Sequence, residues 1–124
     1  MIKQFFRFRS DEGFRARSPE RDASTDNETV RSISSAIDAA QGKAEAERKG
    51  LQGRIDDVIS RAAIVGGNDI DDYLTRTEDR SAMLRDSDAE IKRGQKRLTV
   101  LDQNISHFRF LKAALQTRFP AIRI

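Results

Sequence analysis

Three stretches of this chain hold residues of the kinds that do chemistry. In the first, Asn68-Asp69-Ile70-Asp71-Asp72, three aspartates follow Gly66-Gly67. Clustered carboxylates hold calcium or magnesium, but a calcium loop keeps its glycine among the ligands and closes with a bidentate glutamate. Here the glycines come before the acids and no such glutamate follows. The run therefore reads as a helix cap whose acids complement the positive end of the helix. The second candidate is His107, the single histidine. A general base needs a nucleophile, an orienting partner and a pocket, and none accompanies it. The adjacent pairs Asp56-Asp57 and Asp71-Asp72 are not acid–base dyads either, because neighbours on a helix diverge by about 100°. No catalytic residue, metal site or cofactor is expected, and the protein reads as non-enzymatic.

The third stretch is basic and aromatic. Arg7, Arg9, Arg15 and Arg17 interleave with Phe6, Phe8 and Phe14. Arginine among aromatics can contact phosphates and stack on bases, or sit on an anionic membrane. Lys92-Arg93 and Lys96-Arg97 add a second cluster. Against this stands a plainer reading, in which the phenylalanines cover apolar surface and the arginines keep that region soluble.

The composition limits what can position these residues. Of 124 residues, 35% are charged and 37% hydrophobic, too few apolar side chains for a thick globular core. They suffice for a narrow seam between long helices. The absence of cysteine excludes disulfides, thiolate zinc sites and a cysteine nucleophile, and suits a cytoplasmic location. No run is long enough for a membrane span. The net charge of +3 conceals an asymmetry: residues 1–22 carry +2, residues 23–89 carry −5 and residues 90–124 carry +6.

The elements follow from periodicity. Ile70, Thr77, Leu84, Ile91, Leu98 and Ile105 recur every seven residues, the spacing of helix packed along helix. A second seam position holds Tyr73, Leu101, Phe108 and Leu115, interrupted by Arg80, Ser87 and Gly94. Upstream, Thr25-Asp26-Asn27-Glu28 matches a capping box. A seam then runs through Val30, Ile33, Ile37, Ala40, Ala44, Glu47 and Leu51, continuing as Ile55, Val58, Ala62 and Val65. Two successive steps of four at Leu51 predict a stutter, and Gly50 and Gly53 predict a bend beside it. Gly66-Gly67 ends this helix and Pro120 ends the next.

The expected fold is all-α: an antiparallel two-helix coiled-coil hairpin with a flexible N-terminal arm. The arm covers residues 1–24, the first helix 26–64, the turn 65–69, the second helix 70–118 and a short tail 120–124. A tight turn at the glycines sets Leu51 against Leu84, Ala44 against Ile91, Ile37 against Leu98 and Gly94 against Gly42. In that register the end of the second helix overhangs the first. Phe5, Phe6, Phe8, Phe108, Phe110, Leu111, Leu115 and Phe119 then form an apolar open end that needs a cover. The expected function is protein–protein interaction by an adaptor, stalk or chaperone-like hairpin, with self-association because two thin helices bury little. The alternative is nucleic-acid or anionic-membrane binding through Arg7, Arg9, Arg15, Arg17, Lys92, Arg93, Lys96 and Arg97.

Overall fold

The computed structural model describes the backbone of residues 16–67 and 73–124 and the side chains of residues 16–66 and 78–124. Helix α1 spans Pro19–Gly67 and helix α2 spans Tyr73–Arg118. They run antiparallel, with Asp38 of α1 meeting Lys112 and Glu47 meeting Arg97 further along. The chain is an all-α two-helix hairpin. The expectation of a flexible arm, with Phe5, Phe6, Phe8, Arg7, Arg9 and Arg15, lies outside the described residues. So does the Asn68–Asp72 run.

α1 begins earlier than the capping box at Thr25 predicts. Ser18 is its N-cap: the hydroxyl oxygen accepts from the Arg21 N–H at 3.2 Å, and the Ser18 carbonyl accepts from the Asp22 N–H at 3.1 Å. Pro19 follows at the one helical position where a missing N–H costs nothing, and Glu20 and Asp22 sit in the positive first turn. Thr25 lies inside the helix, where its carbonyl accepts from the Thr29 hydroxyl at 2.9 Å. α2 stops just before Pro120, as expected. Its last carbonyls are met by the Phe119 N–H on Leu115 at 3.0 Å. The tail then turns, with the Ile122 N–H donating to the Phe119 carbonyl at 3.1 Å. Arg31 Nε of α1 donates to the Arg123 carbonyl at 3.4 Å and holds the tail against the first helix.

The seam of α1 differs from the expected one in an instructive way. The inward positions are Val30, Ser34, Ile37, Gln41, Ala44, Arg48, Leu51, Ile55, Val58, Ala62 and Val65, all buried or half-buried. Their steps alternate four and three without a break, so there is no stutter. The expected line took Ile33, Ala40 and Glu47 where the inward residues are Ser34, Gln41 and Arg48: Glu47 is exposed, and Ile33 is 46% exposed while its polar neighbour Ser34 is 5% exposed. Regular spacing outranks polarity here because a seam is a geometric line and tolerates occasional polar members. The α-helix is unbroken through Gly50 and Gly53. In α2 the inward line is the expected one from Arg80 onward; its earlier members Ile70, Tyr73 and Thr77 lie outside the described side chains. Leu101 is the most deeply buried large side chain, clustered with Ala44 and Ile105 and packed against Leu51 and Phe108.

The register is also corrected. Gly94 does not face Gly42. A Cβ built on Gly94 would lie 2.7 Å from Ile55 Cδ1 and 2.8 Å from Ile55 Cγ1. The helices are displaced from the expected alignment by about two heptads. A strict seven-residue repeat sets apolar against apolar at every whole-heptad slip, so that agreement alone does not choose between slips. Two consequences follow. Phe108 packs beside the core cluster instead of overhanging α1. And the Lys92–Arg97 cluster lies level with Leu51 and Ile55, away from the open end.

The contact at Gly94 yields a test. Gly94→Ala gains about 1 kcal/mol of helix propensity but forces Ile55 aside, a displacement costing roughly 1–3 kcal/mol. The single substitution is therefore expected to be neutral or destabilising. In an Ile55→Ala background the same change should stabilise by about 1 kcal/mol. Urea unfolding of the four species reads the coupling, and its absence would mean another register.

Candidate interaction surface

Residues seven apart return to the same side of a coiled-coil helix, so each contact between α1 and α2 identifies one side of the hairpin. Arg97 grips Glu47 with two hydrogen bonds, Nε to Oε2 at 2.7 Å and Nη2 to Oε1 at 3.1 Å. Two heptads along α1 and α2 from this pair, Ile33 and Leu111 occupy the equivalent positions toward the open end. Arg61 and Met83 occupy them toward the chain reversal, where they line one groove with Val58, Asp79, Asp86 and Glu90. Val100 and Ile64 follow Arg97 and Arg61 by one helical turn and share this side.

The opposite side is built of charge. There Arg48 pairs with Asp102, and Arg109 reaches Glu45 at 3.6 Å. Lys112, at the seam beside them, donates to Asp38 at 2.6 Å. Asp38, Gln41, Glu45, Arg109, Lys112 and Gln116 line the groove on that side. Of the large apolar side chains that remain exposed, Ile33, Ile64, Met83, Val100 and Leu111 stand on the Glu47–Arg97 side, and Ile59 stands on the other. Phe110, 70% exposed, projects from the back of α2, two residues on from the inward Phe108. Phe119 is partly exposed where α2 ends.

The expected partner-binding residues therefore divide. Phe110, Leu111 and Phe119 are presented to solvent, whereas Phe108 and Leu115 are half-buried in the seam. The expected anion-binding set divides too. Arg17 donates to the Thr25 hydroxyl at 3.3 Å, Lys92 pairs with Asp88 at 3.0 Å, and Arg97 is held by Glu47. Ile33, Ile64, Met83 and Val100 belong to the exposed set although their apolarity alone suggests a core. Only their place in the heptad, one position off the inward line or further round the helix, separates them from it. Among the described residues no group of three or more His, Cys, Asp or Glu residues stands where it would hold a metal. No described helix is long and apolar enough to cross a membrane. No protein-family model, curated protein or solved structure matches the chain.

The hydrogen bonds from Arg97 hold the Glu47 carboxyl below its ordinary value, and the same contact raises Arg97. A carboxyl depressed in the folded state adds stability above its unfolded pKa and loses it as pH falls through the folded one. The pair is solvent-exposed, so its effect shows best as a titration. The Glu47 carboxyl signal in a carbon-detected NMR titration should have a lower midpoint than in the Arg97→Gln variant. Equal midpoints would remove the pair. Core and surface should separate as sharply in unfolding: Leu101→Ala is expected to cost about 2–5 kcal/mol, and Phe110→Ala to lie within about 0.5 kcal/mol of wild type.

Proposed function

We propose that this protein is a non-enzymatic interaction module, an adaptor or chaperone-like helical hairpin that binds a protein partner near its open end. The observation that supports the reading is the exposure of Phe110 and Leu111, adjacent large apolar side chains, with Phe119 two turns beyond. A helix gains nothing in its own hairpin from a phenylalanine pointing into water, and exposed apolar groups along the last turns of α2 fit a contact surface. Phe108 and Leu115 support that surface from beneath and are not themselves the contact. A cytoplasmic setting accords with the lack of cysteine. Binding of nucleic acid or an anionic membrane by the basic residues is the second reading. No described contact favours it, since Lys92 and Arg97 already pair with acids of the chain itself.

The test is a double substitution, Phe110→Ser with Phe119→Ser, in the full chain. Wild-type protein immobilised in extract from its own cells should retain a partner in near-stoichiometric amount. The variant should lose that partner while keeping its unfolding midpoint. Equal retention by both, or retention of nothing, would overturn the reading.

A further inference from the structure

Cut at the Ile55–Gly94 contact, the rod has two halves of opposite charge. The half nearer the chain reversal, counted over the described side chains of residues 56–66 and 78–93, carries seven acidic and five basic groups, a net −2. The open half, residues 16–55 and 94–124, carries thirteen basic and eight acidic groups, a net +5. The same side of the rod bears exposed apolar side chains in both halves: Met83 and Ile64 in the acidic one, Ile33, Val100 and Leu111 in the basic one. In the acidic half Asp79, Asp86 and Glu90, with Arg61 as the one basic group among them, line the groove beside Met83.

We propose that a second copy of this chain covers that side, packed antiparallel to the first, so that two hairpins close into a four-helix bundle. A two-fold axis near the middle of the rod lays each acidic half on the partner's basic half. It sets the Met83–Ile64 apolar group of one copy against the Ile33–Leu111 group of the other. A parallel pair would oppose like charges along the whole length. The available area is sufficient: two helices abreast, each roughly 70 Å long at ~1.5 Å per residue, offer more than the about 800 Å² per partner of a stable interface. A two-fold pairing is also self-complementary and closes on itself, so it makes a dimer and not a fibre. Among the described residues Leu101 is the one large side chain that the hairpin buries completely, so a second copy would add burial that a thin hairpin lacks. This inference rests on reading the hairpin as an interaction module; it shares Leu111 with that contact surface but not Phe110 or Phe119, which stand off the proposed dimer face.

Charge reversal tests it directly. One variant carries Asp79→Lys and Asp86→Lys, the other Lys43→Glu and Arg118→Glu; all four residues are exposed. Sedimentation velocity of the full wild-type chain at micromolar concentration should give twice the 14.0 kDa of one chain. Each variant alone should dissociate at least about tenfold more readily, and an equimolar mixture of the two should recover the dimer. Circular dichroism of each variant should keep the wild-type helicity. A wild-type monomer at every concentration, or two variants that dimerise as well as wild type, overturns the proposal. Either result leaves the Phe110 and Phe119 capture experiment standing, so the two readings fail separately.

Discussion

A large side chain of one helix seated where the other has none fixes the alignment of this molecule. Ile55 fills the space above Gly94 so closely that even a methyl group there would collide with it. Both helices repeat every seven residues, and a repeat by itself permits the rods to slide in whole-heptad steps. The residues that break the repeat remove that freedom. Gly94 is a gap in the seam of α2 and Ile55 is the bulk that suits it, while the polar seam residue Arg48 reaches out of the seam to Asp102. The cross-helix pairs Asp38–Lys112 and Glu47–Arg97 follow from that alignment. Exposed pairs contribute little to stability. Their weight here is in specificity, because a slipped hairpin must give them all up together.

The hairpin was readable from the chain because two signals agree. Seven-residue spacing demands a helical partner, and Gly66-Gly67 followed by acids marks one helix ending and another starting. The register was not readable from the apolar stripe, which matches itself at every slip. It was carried by the imperfect positions Gly94, Ile55 and Arg48, which look like flaws when read one helix at a time. The start of α1 was legible in Ser18-Pro19-Glu20 and was obscured by treating proline only as a breaker, though at the first helical position it is a starter. The exposed apolar side was hidden for a similar reason. Ile33 is as apolar as Ile37, and only the continuous line through Ser34 shows which of the two faces in.

The two sides of the hairpin are unequal because the residues flanking the seam are unequal. One flank is charged on both helices and ties across the seam. The other carries isoleucine, leucine, valine and methionine interspersed with charge: the Glu47–Arg97 pair, Arg54 and Arg93 beside it, and Arg61 with the acids near Met83. The exposed large apolar side chains are thus concentrated on one flank, between charged residues. Since α1 and α2 each offer only a narrow inward line, the hairpin by itself buries few large side chains, and the proposed second copy would add burial on this flank.

The chain separation across the seam grows steadily away from the reversal: 50 residues at Glu47–Arg97, 54 at Arg48–Asp102, 74 at Asp38–Lys112 and 92 at Arg31–Arg123. Each contact, once made, shortens the loop that the next must close, so the ordering entropy is spread over many small steps. By loop-closure entropy alone, such a ladder is cheapest to close from the reversal outward and cheapest to open in the opposite order. The tail held by Arg31 is then the last part to join and the first to leave.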